Sequence, residues 1–287
     1  MKNLFKSAIT AIVIIFSLAT KAQTKSPKLE NSLLWEISGN GLSKPSYLYG
    51  TIHMICSADY FLSEKAKKAF DSSSKLVLEI DLSDPKQLTD MHQMAMGKQP
   101  LTKTLSAQDA IKLDNILQKK TGMTIQQVDS FNLFTVMSLI SMKTFGCNDL
   151  KFYEMNFIEM AKQRNLPVIG LETVKGQMDM FANAYSDTEM IKMLEELDNE
   201  ETNKMVEKYK EENITAIYDI TTDKRFITED IQKAILDNRN QDWLKSIPEL
   251  MKNESLFIAV GSAHLAGESG VINLLRKAGF TVKAVTK

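Results

Sequence analysis

The sequence predicts an α/β fold: a central mixed sheet built from both ends of the chain, with a large helical insertion between them. Three observations predict it. Short apolar, β-favouring runs cluster before residue 85 and after residue 165. The stretch between them carries helical periodicity. Two of the three histidines share one G-x-x-H frame, Gly50-Thr51-Ile52-His53 and Gly261-Ser262-Ala263-His264, and each follows such a run. A strand that ends in glycine and then presents a histidine builds a site at a sheet edge; two of them imply that the histidines meet in space.

The elements follow in order. Residues 1–22 read as an export signal: Lys2 and Lys6, then an apolar run from Ala8 to Ala19, then the small-residue site Thr20-Lys21-Ala22, with cleavage expected before Gln23. The apolar run is short for a membrane span, so no stable membrane anchor is expected. The remainder, 23–287, is expected to be a single domain of about 265 residues. Leu33 to Ser38 and Ser46 to Ile52 flank a turn at Gly39-Asn40-Gly41 and Lys44-Pro45, which makes a hairpin. Ser57 to Phe70 reads as a helix, and Leu76 to Ile80 as a strand. The insertion, about 85–165, is mostly helical; Ser106 to Asp109 is a helix start, and the almost wholly apolar Phe131 to Phe145 is expected to be a buried helix. Leu166 to Leu171 is a strand. Ser186 with Glu189 opens a long charged helix toward Glu212. Helical pattern resumes from Thr228 to about Lys252, and the chain closes strand–helix–strand from Leu256 to Val285.

Lys plus Arg number 35 and Asp plus Glu 36; removal of the signal leaves the chain more acidic. That balance argues against a nucleic-acid partner. The two cysteines, Cys56 and Cys147, are expected to pair in an oxidising compartment, which would pin the segment after His53 onto the helical region. There is no H-E-x-x-H, C-x-x-C, P-loop or dinucleotide fingerprint, and no G-x-S-x-G around Ser262.

The candidate site residues are those whose chemistry is costly where the pattern puts them. His53 and His264 are candidate metal ligands or acid/base groups. Glu79 ends an apolar strand, where a carboxylate is expensive to bury without a cation or donor; with the histidines it makes a two-His-one-carboxylate set. Asp81 competes weakly for that role. Glu172 follows the strand at 168–171 and reads as a general base or a group that orients a histidine, although acids also favour helix starts. Glu154 stands just inside a helix, with the same ambiguity. Arg239 could clamp a carboxylate or stabilise an oxyanion. Tyr153 is a weaker oxyanion donor, and His92 reads as a solvated helix residue.

Leu34-Trp35-Glu36-Ile37, the run from Lys44 to His53, Leu78-Glu79, Gly170-Leu171-Glu172-Thr173 with Gln177, Arg239-Asn240 with Trp243, and Val260 to Leu265 with Gly270-Val271 together resemble the TraB/GumN family, to which the animal Tiki proteins belong. The resemblance implies an EreA/ChaN-like fold and a metal-dependent, hydrolase-like site, with peptidase activity assigned to the Tiki branch. The expectation is an exported, periplasmic or secreted metal-dependent hydrolase acting on a peptide or protein. His53, His264 and Glu79 would hold a divalent ion (Zn, Mn, Co or Fe), and Glu172, Glu154 and Arg239 would do the chemistry. The alternatives are a haem- or metal-binding protein without turnover, and an interaction or inhibitor module.

Overall fold

The computed structural model describes residues 29–286; the expected export signal at 1–22 lies outside the described residues. Among the described residues eight strands form: β1 (Leu34–Ser38), β2 (Ser46–Thr51), β3 (Met54–Cys56), β4 (Lys75–Ile80), β5 (Leu150–Phe152), β6 (Val168–Glu172), β7 (Leu256–Gly261) and β8 (Thr281–Ala284). Six of them make one sheet in the order β6-β4-β7-β2-β1-β8. The β1–β2 hairpin is antiparallel, as the turn residues predicted, and β8 runs antiparallel to β1. The pairs β2–β7, β4–β7 and β4–β6 are parallel. The sheet is therefore mixed and drawn from both chain ends. β3 and β5 pair separately, antiparallel, into a small ribbon.

The topology decides where function collects. β7 comes from the end of the chain but lies at the centre, and all six of its residues are buried. Because β2, β4, β6 and β7 point the same way, their carboxyl ends reach one edge of the sheet, the edge at which α/β sites form. His53, Glu79, Glu172 and Gly261 all lie at those four ends.

The closing strand–helix–strand unit is present, with a helix at Val271–Lys277 between β7 and β8. The two strands are parallel but not neighbours, because the β1–β2 hairpin sits between them. The first expected helix begins late, at Glu64–Ser72, since the Ser63 side chain caps it, with a turn at 57–59 and irregular backbone at 60–63 before it. The long charged helix divides into Asp187–Glu196 and Asn199–Lys210: Asp198 is extended and its side chain caps the second piece. The Ser186/Glu189 capping box forms as read. Helix Asn238–Met251 is preceded by a π turn at Lys233–Asp237.

Two apolar cores result. One surrounds the sheet and includes Trp35, Tyr49, Phe257 and Trp243. The other belongs to the helices and draws Leu113, Val136 and Ile140 from the expected insertion, but also Ile191, Leu194, Ile231 and Leu236 from beyond β6. The helical block is thus wider in sequence than the 85–165 insertion. Helix Leu133–Thr144 buries Leu133, Val136 and Ile140 in this core, while Met137, Ser141 and Thr144 on the adjoining face line a cavity. The helix is only partly buried: Phe134, Leu139 and Met142, which do not line that cavity, also keep some exposure.

Cys56 and Cys147 form a disulfide, with Cα atoms 6.1 Å apart. It fastens the end of β3 to the turn before β5, beside the ribbon that follows His53. No helix among the described residues is long and apolar enough to cross a membrane.

Candidate functional site

The six residues singled out from the sequence meet at the carboxyl edge of the sheet. Arg239 is their centre. Its Nε and Nη2 donate to the two oxygens of Glu172 at 2.9 and 3.0 Å, a two-pronged pairing that a planar guanidinium favours. Nη2 also donates to Glu79 Oε2 at 2.5 Å. Nη1 donates to the Ile235 carbonyl in the π turn at 2.9 Å and faces His264 Nε2 at 3.0 Å. A guanidinium has five N–H bonds, and all five are taken. As placed, Arg239 has none left for an oxyanion; it holds other side chains.

That contact fixes the state of His264. A guanidinium only donates, so Nε2 accepts and the ring proton is on Nδ1, which donates to Asn240 Oδ1 at 2.6 Å. Asn240 is oriented in turn by its own amide, which donates to the carbonyls of Ser269 (2.9 Å) and His264 (3.3 Å). Trp243 packs on the ring at 4.5 Å between centroids. Burial lowers the pKa of His264 to about 3, with the Arg239 charge acting the same way and Glu79 opposing. His264 is neutral and has no free nitrogen.

Glu79 is buried. Burial alone would raise its pKa, but the Arg239 guanidinium and the Gly261 N–H, which donates to Oε1 at 2.7 Å, hold it well below the usual carboxylate range. Gln177 Nε2 adds a bond to Oε2 at 3.0 Å. Glu172 accepts from Trp243 Nε1 at 2.9 Å besides Arg239.

His53 is the exposed member, with 56% of its side chain accessible. It follows β2 in the left-handed region, φ +60°, unusual for a residue with a Cβ. Two backbone-side contacts hold it there: its carbonyl accepts from Tyr153 N at 2.8 Å, and its N–H donates to Thr51 Oγ1 at 3.3 Å. Nδ1 is 2.8 Å from Glu154 Oε1, which also accepts from Thr51 Oγ1 at 2.7 Å. Desolvation pulls the His53 pKa down, but the charge and hydrogen bond of Glu154, helped by Glu79, outweigh it and raise it to about 9. Solvent at the exposed face screens both influences; the direct Glu154 bond keeps the direction upward. Nε2 lies 3.9 Å from Glu79 Oε1.

The glycines explain the doubled motif. A Cβ on Gly261 would lie 2.9 Å from His53 Nε2 and 3.3 Å from Glu79 Oε1. A Cβ on Gly50 would lie 2.9 Å from the Ser262 Cβ. Since Gly50 and Thr51 pair with Val260 and Gly261, each motif's glycine makes room for the other motif.

The metal that the resemblance implies can be tested against this donor set. Among the described residues, no group of three or more His, Cys, Asp or Glu side chains is close enough to hold an ion. Two donors do fit. His53 Nε2 and Glu79 Oε1 both lie over Gly261, at a separation that bonds of about 2.0–2.2 Å to one ion can span. Glu154 on the other nitrogen of His53 is the outer partner that ligating histidines carry. Three carboxylates against one guanidinium also leave negative charge in excess. His264 is different: with both nitrogens bonded, it joins such a set only by giving up Arg239.

Of the lesser candidates, Asp81 accepts from Ser83, Tyr153 donates its hydroxyl to Phe61, and His92 is exposed. Sequence reasoning gave no role to Thr51, Gln177 or Asn240. Thr51 lies inside the first motif, and Gln177 and Asn240 fall in the segments that carry the family resemblance; proximity in sequence was the available signal.

The profile of the TraB/PrgY/gumN family matches residues 33–284. Among curated proteins, the chain is 31% identical over 103 residues to "Metalloprotease TIKI1" of Danio rerio, covering 35% of this chain and 19% of that protein. It is 39% identical over 61 residues to "Metalloprotease TIKI2" of Danio rerio, 21% of this chain and 12% of the relative. The TIKI1 of Xenopus tropicalis matches at 31% over 106 residues, 33% and 20% of the respective chains. The matched regions thus span a fifth or less of these relatives' lengths. No solved structure matches the chain significantly. The family profile runs from before β1 into β8 and takes in every residue of the site: this chain belongs to the TraB/PrgY/gumN family.

Proposed function

We propose that the protein is an exported, metal-dependent hydrolase with peptidase-like chemistry. The observation that carries this reading is the pair His53 Nε2 and Glu79 Oε1, 3.9 Å apart over Gly261, with Glu154 on the far nitrogen of His53. These two residues would hold a divalent ion (Zn, Mn, Co or Fe), and His264 would complete the set on releasing Arg239. When bound, the ion polarises a carbonyl and lowers the pKa of water. The similarity to Tiki metalloproteases supports a peptide or protein substrate. The disulfide supports an oxidising compartment, periplasmic or secreted.

The chain's own residues divide the work. Glu154 Oε1 holds one proton at His53 Nδ1, so the proton at Nε2 is the one a bound ion would displace. Glu154 Oε2 has no protein partner among the described residues and is the carboxylate oxygen available to take a proton from a nucleophile. Arg239 sets the positions of Glu79, Glu172 and His264. Glu172, bound to Arg239 and Trp243, is an orienting group in this arrangement.

Metal content by mass spectrometry tests the reading. About one divalent ion per chain is expected after incubation with Mn, Co or Zn, and none in His53→Ala or Glu79→Gln. A wild-type protein that takes up none of the three sinks it. Gly261→Ala is a milder test. The new methyl presses on His53 Nε2 and Glu79 Oε1, so metal affinity is expected to fall by roughly tenfold or more with the fold retained. Unchanged affinity would show that the two groups do not share an ion.

A further inference from the structure

Beside the polar cluster lies a cavity of about 440 Å³. His53, Arg239, Gly261 and His264 form one wall. The others are mostly apolar and come mostly from the helical block: Met137, Phe181, Met193, Met205, Ile217 and Leu236 are typical, and Glu201, held by Arg225 at 2.9 Å, is the charged exception. We propose that this cavity is the side-chain subsite of the centre and takes one bulky apolar residue of a peptide, aromatic or long aliphatic, next to the bond that is cut. The assignment rests on the peptidase-like reading above and names the class of peptide.

Three features favour that occupant. The cavity is continuous with the site, so a side chain lying in it places its own amide against His53. The volume is in the range of small-molecule pockets and exceeds one side chain, so the largest residues fit. Three methionines on the walls adapt to different apolar shapes. The same geometry gives the helical block a purpose. Its second core is packed so that one side of helix Leu133–Thr144 faces this space.

Two variants of cavity-lining residues outside the polar cluster test the proposal, Ser141→Trp to fill the space and Met193→Ala to enlarge it. Binding is read first, by saturation-transfer NMR with N-acetyl-L-phenylalaninamide, N-acetylglycinamide and dodecanoate as probes. The phenylalanine ring is expected to receive saturation from wild type and from Met193→Ala but not from Ser141→Trp, and the glycine probe from none. Cleavage is read second, on an equimolar peptide library with metal-loaded protein. Bonds flanked at one fixed position by Phe, Tyr, Leu or Met are expected to be cut about tenfold faster or more than those with Gly there, the discrimination that burying one large side chain supplies. Ser141→Trp should erase the preference while small-residue peptides are still cut. Met193→Ala should shift it toward Trp. Equal binding of the phenylalanine and glycine probes overturns the subsite, as does a preference that Ser141→Trp leaves intact. Dodecanoate binding in place of the phenylalanine probe also overturns it, in favour of an acyl chain. Binding of the phenylalanine probe with no peptide cleaved overturns instead the peptidase-like reading, and the substrate role with it.

Discussion

Arg239→Ala is expected to cost about 3–5 kcal/mol of folding stability, the range for breaking a buried charge pair by removing one partner. The reason is what stays behind. Glu79 keeps its bonds from Gly261 and Gln177, and Glu172 keeps Trp243, but both carboxylates lose their only guanidinium. Each of the three side chains is less than a fifth exposed, so solvent does little to compensate. A urea titration would read the loss as a midpoint lower by roughly 1–2 M. Adding Glu79→Gln and Glu172→Gln to the Arg239→Ala protein is expected to recover much of the loss, because the stranded charges are then gone. A cost below about 1 kcal/mol, or no recovery, would show that Arg239 is not the electrostatic centre described here.

The same cluster sets an acid limit. His264 titrates near 3 when folded against an ordinary value of 6.5, so the unfolded chain takes up a proton that the folded one refuses. Stability is then highest above pH 6.5 as far as His264 is concerned and falls as pH drops toward 3. The depressed Glu79 acts in the same direction at lower pH, losing its contribution as pH falls below 4.5 toward its folded value.

Opening the disulfide is expected to be as costly. Cys56 and Cys147 are 91 positions apart, and closing a loop of that length restricts the unfolded chain by about 4–5 kcal/mol on the chain-entropy estimate. The effect should also be local. The bridge anchors β3, whose pairing with β5 continues into the Tyr153–His53 backbone bond, and that bond helps to keep His53 at its positive φ. Cys147→Ser, or wild type in reductant, is therefore expected to lose both stability and metal uptake. Denaturation curves that superimpose with and without reductant would refute the first part, and unchanged metal stoichiometry the second.

These consequences depend on features of unequal legibility. The strand ends could be read because parallel strands put costly polar residues next to apolar runs: Glu79 after Leu76-Val77-Leu78, and Glu172 after Val168 to Leu171. The paired G-x-x-H frames declared that β2 and β7 would meet. What could not be read is direction. Whether Arg239 would aim at a substrate or at its neighbours depends on the π turn that offers it the Ile235 carbonyl, and hydrophobic periodicity does not see a one-residue change in helical register. The cavity was equally hidden. It is enclosed by side chains from several helices and the sheet edge that no periodicity relates, and composition makes the Leu133–Thr144 helix look fully buried. Gln177 and Asn240 carry ordinary amide side chains on helices, and only their acceptors reveal them.

The placement of β7 makes the site a late event in the life of the chain. Until residues 256–261 insert, β4 with β6 and β2 with β1 are separate pairs with open edges, and neither glycine-histidine frame has its counterpart. Pairing across some two hundred residues is slow to find. A polypeptide still emerging, or one cut short of its final strands, therefore holds every side chain of the cluster but His264 and yet has no assembled site. The cluster assembles only when the sheet is complete.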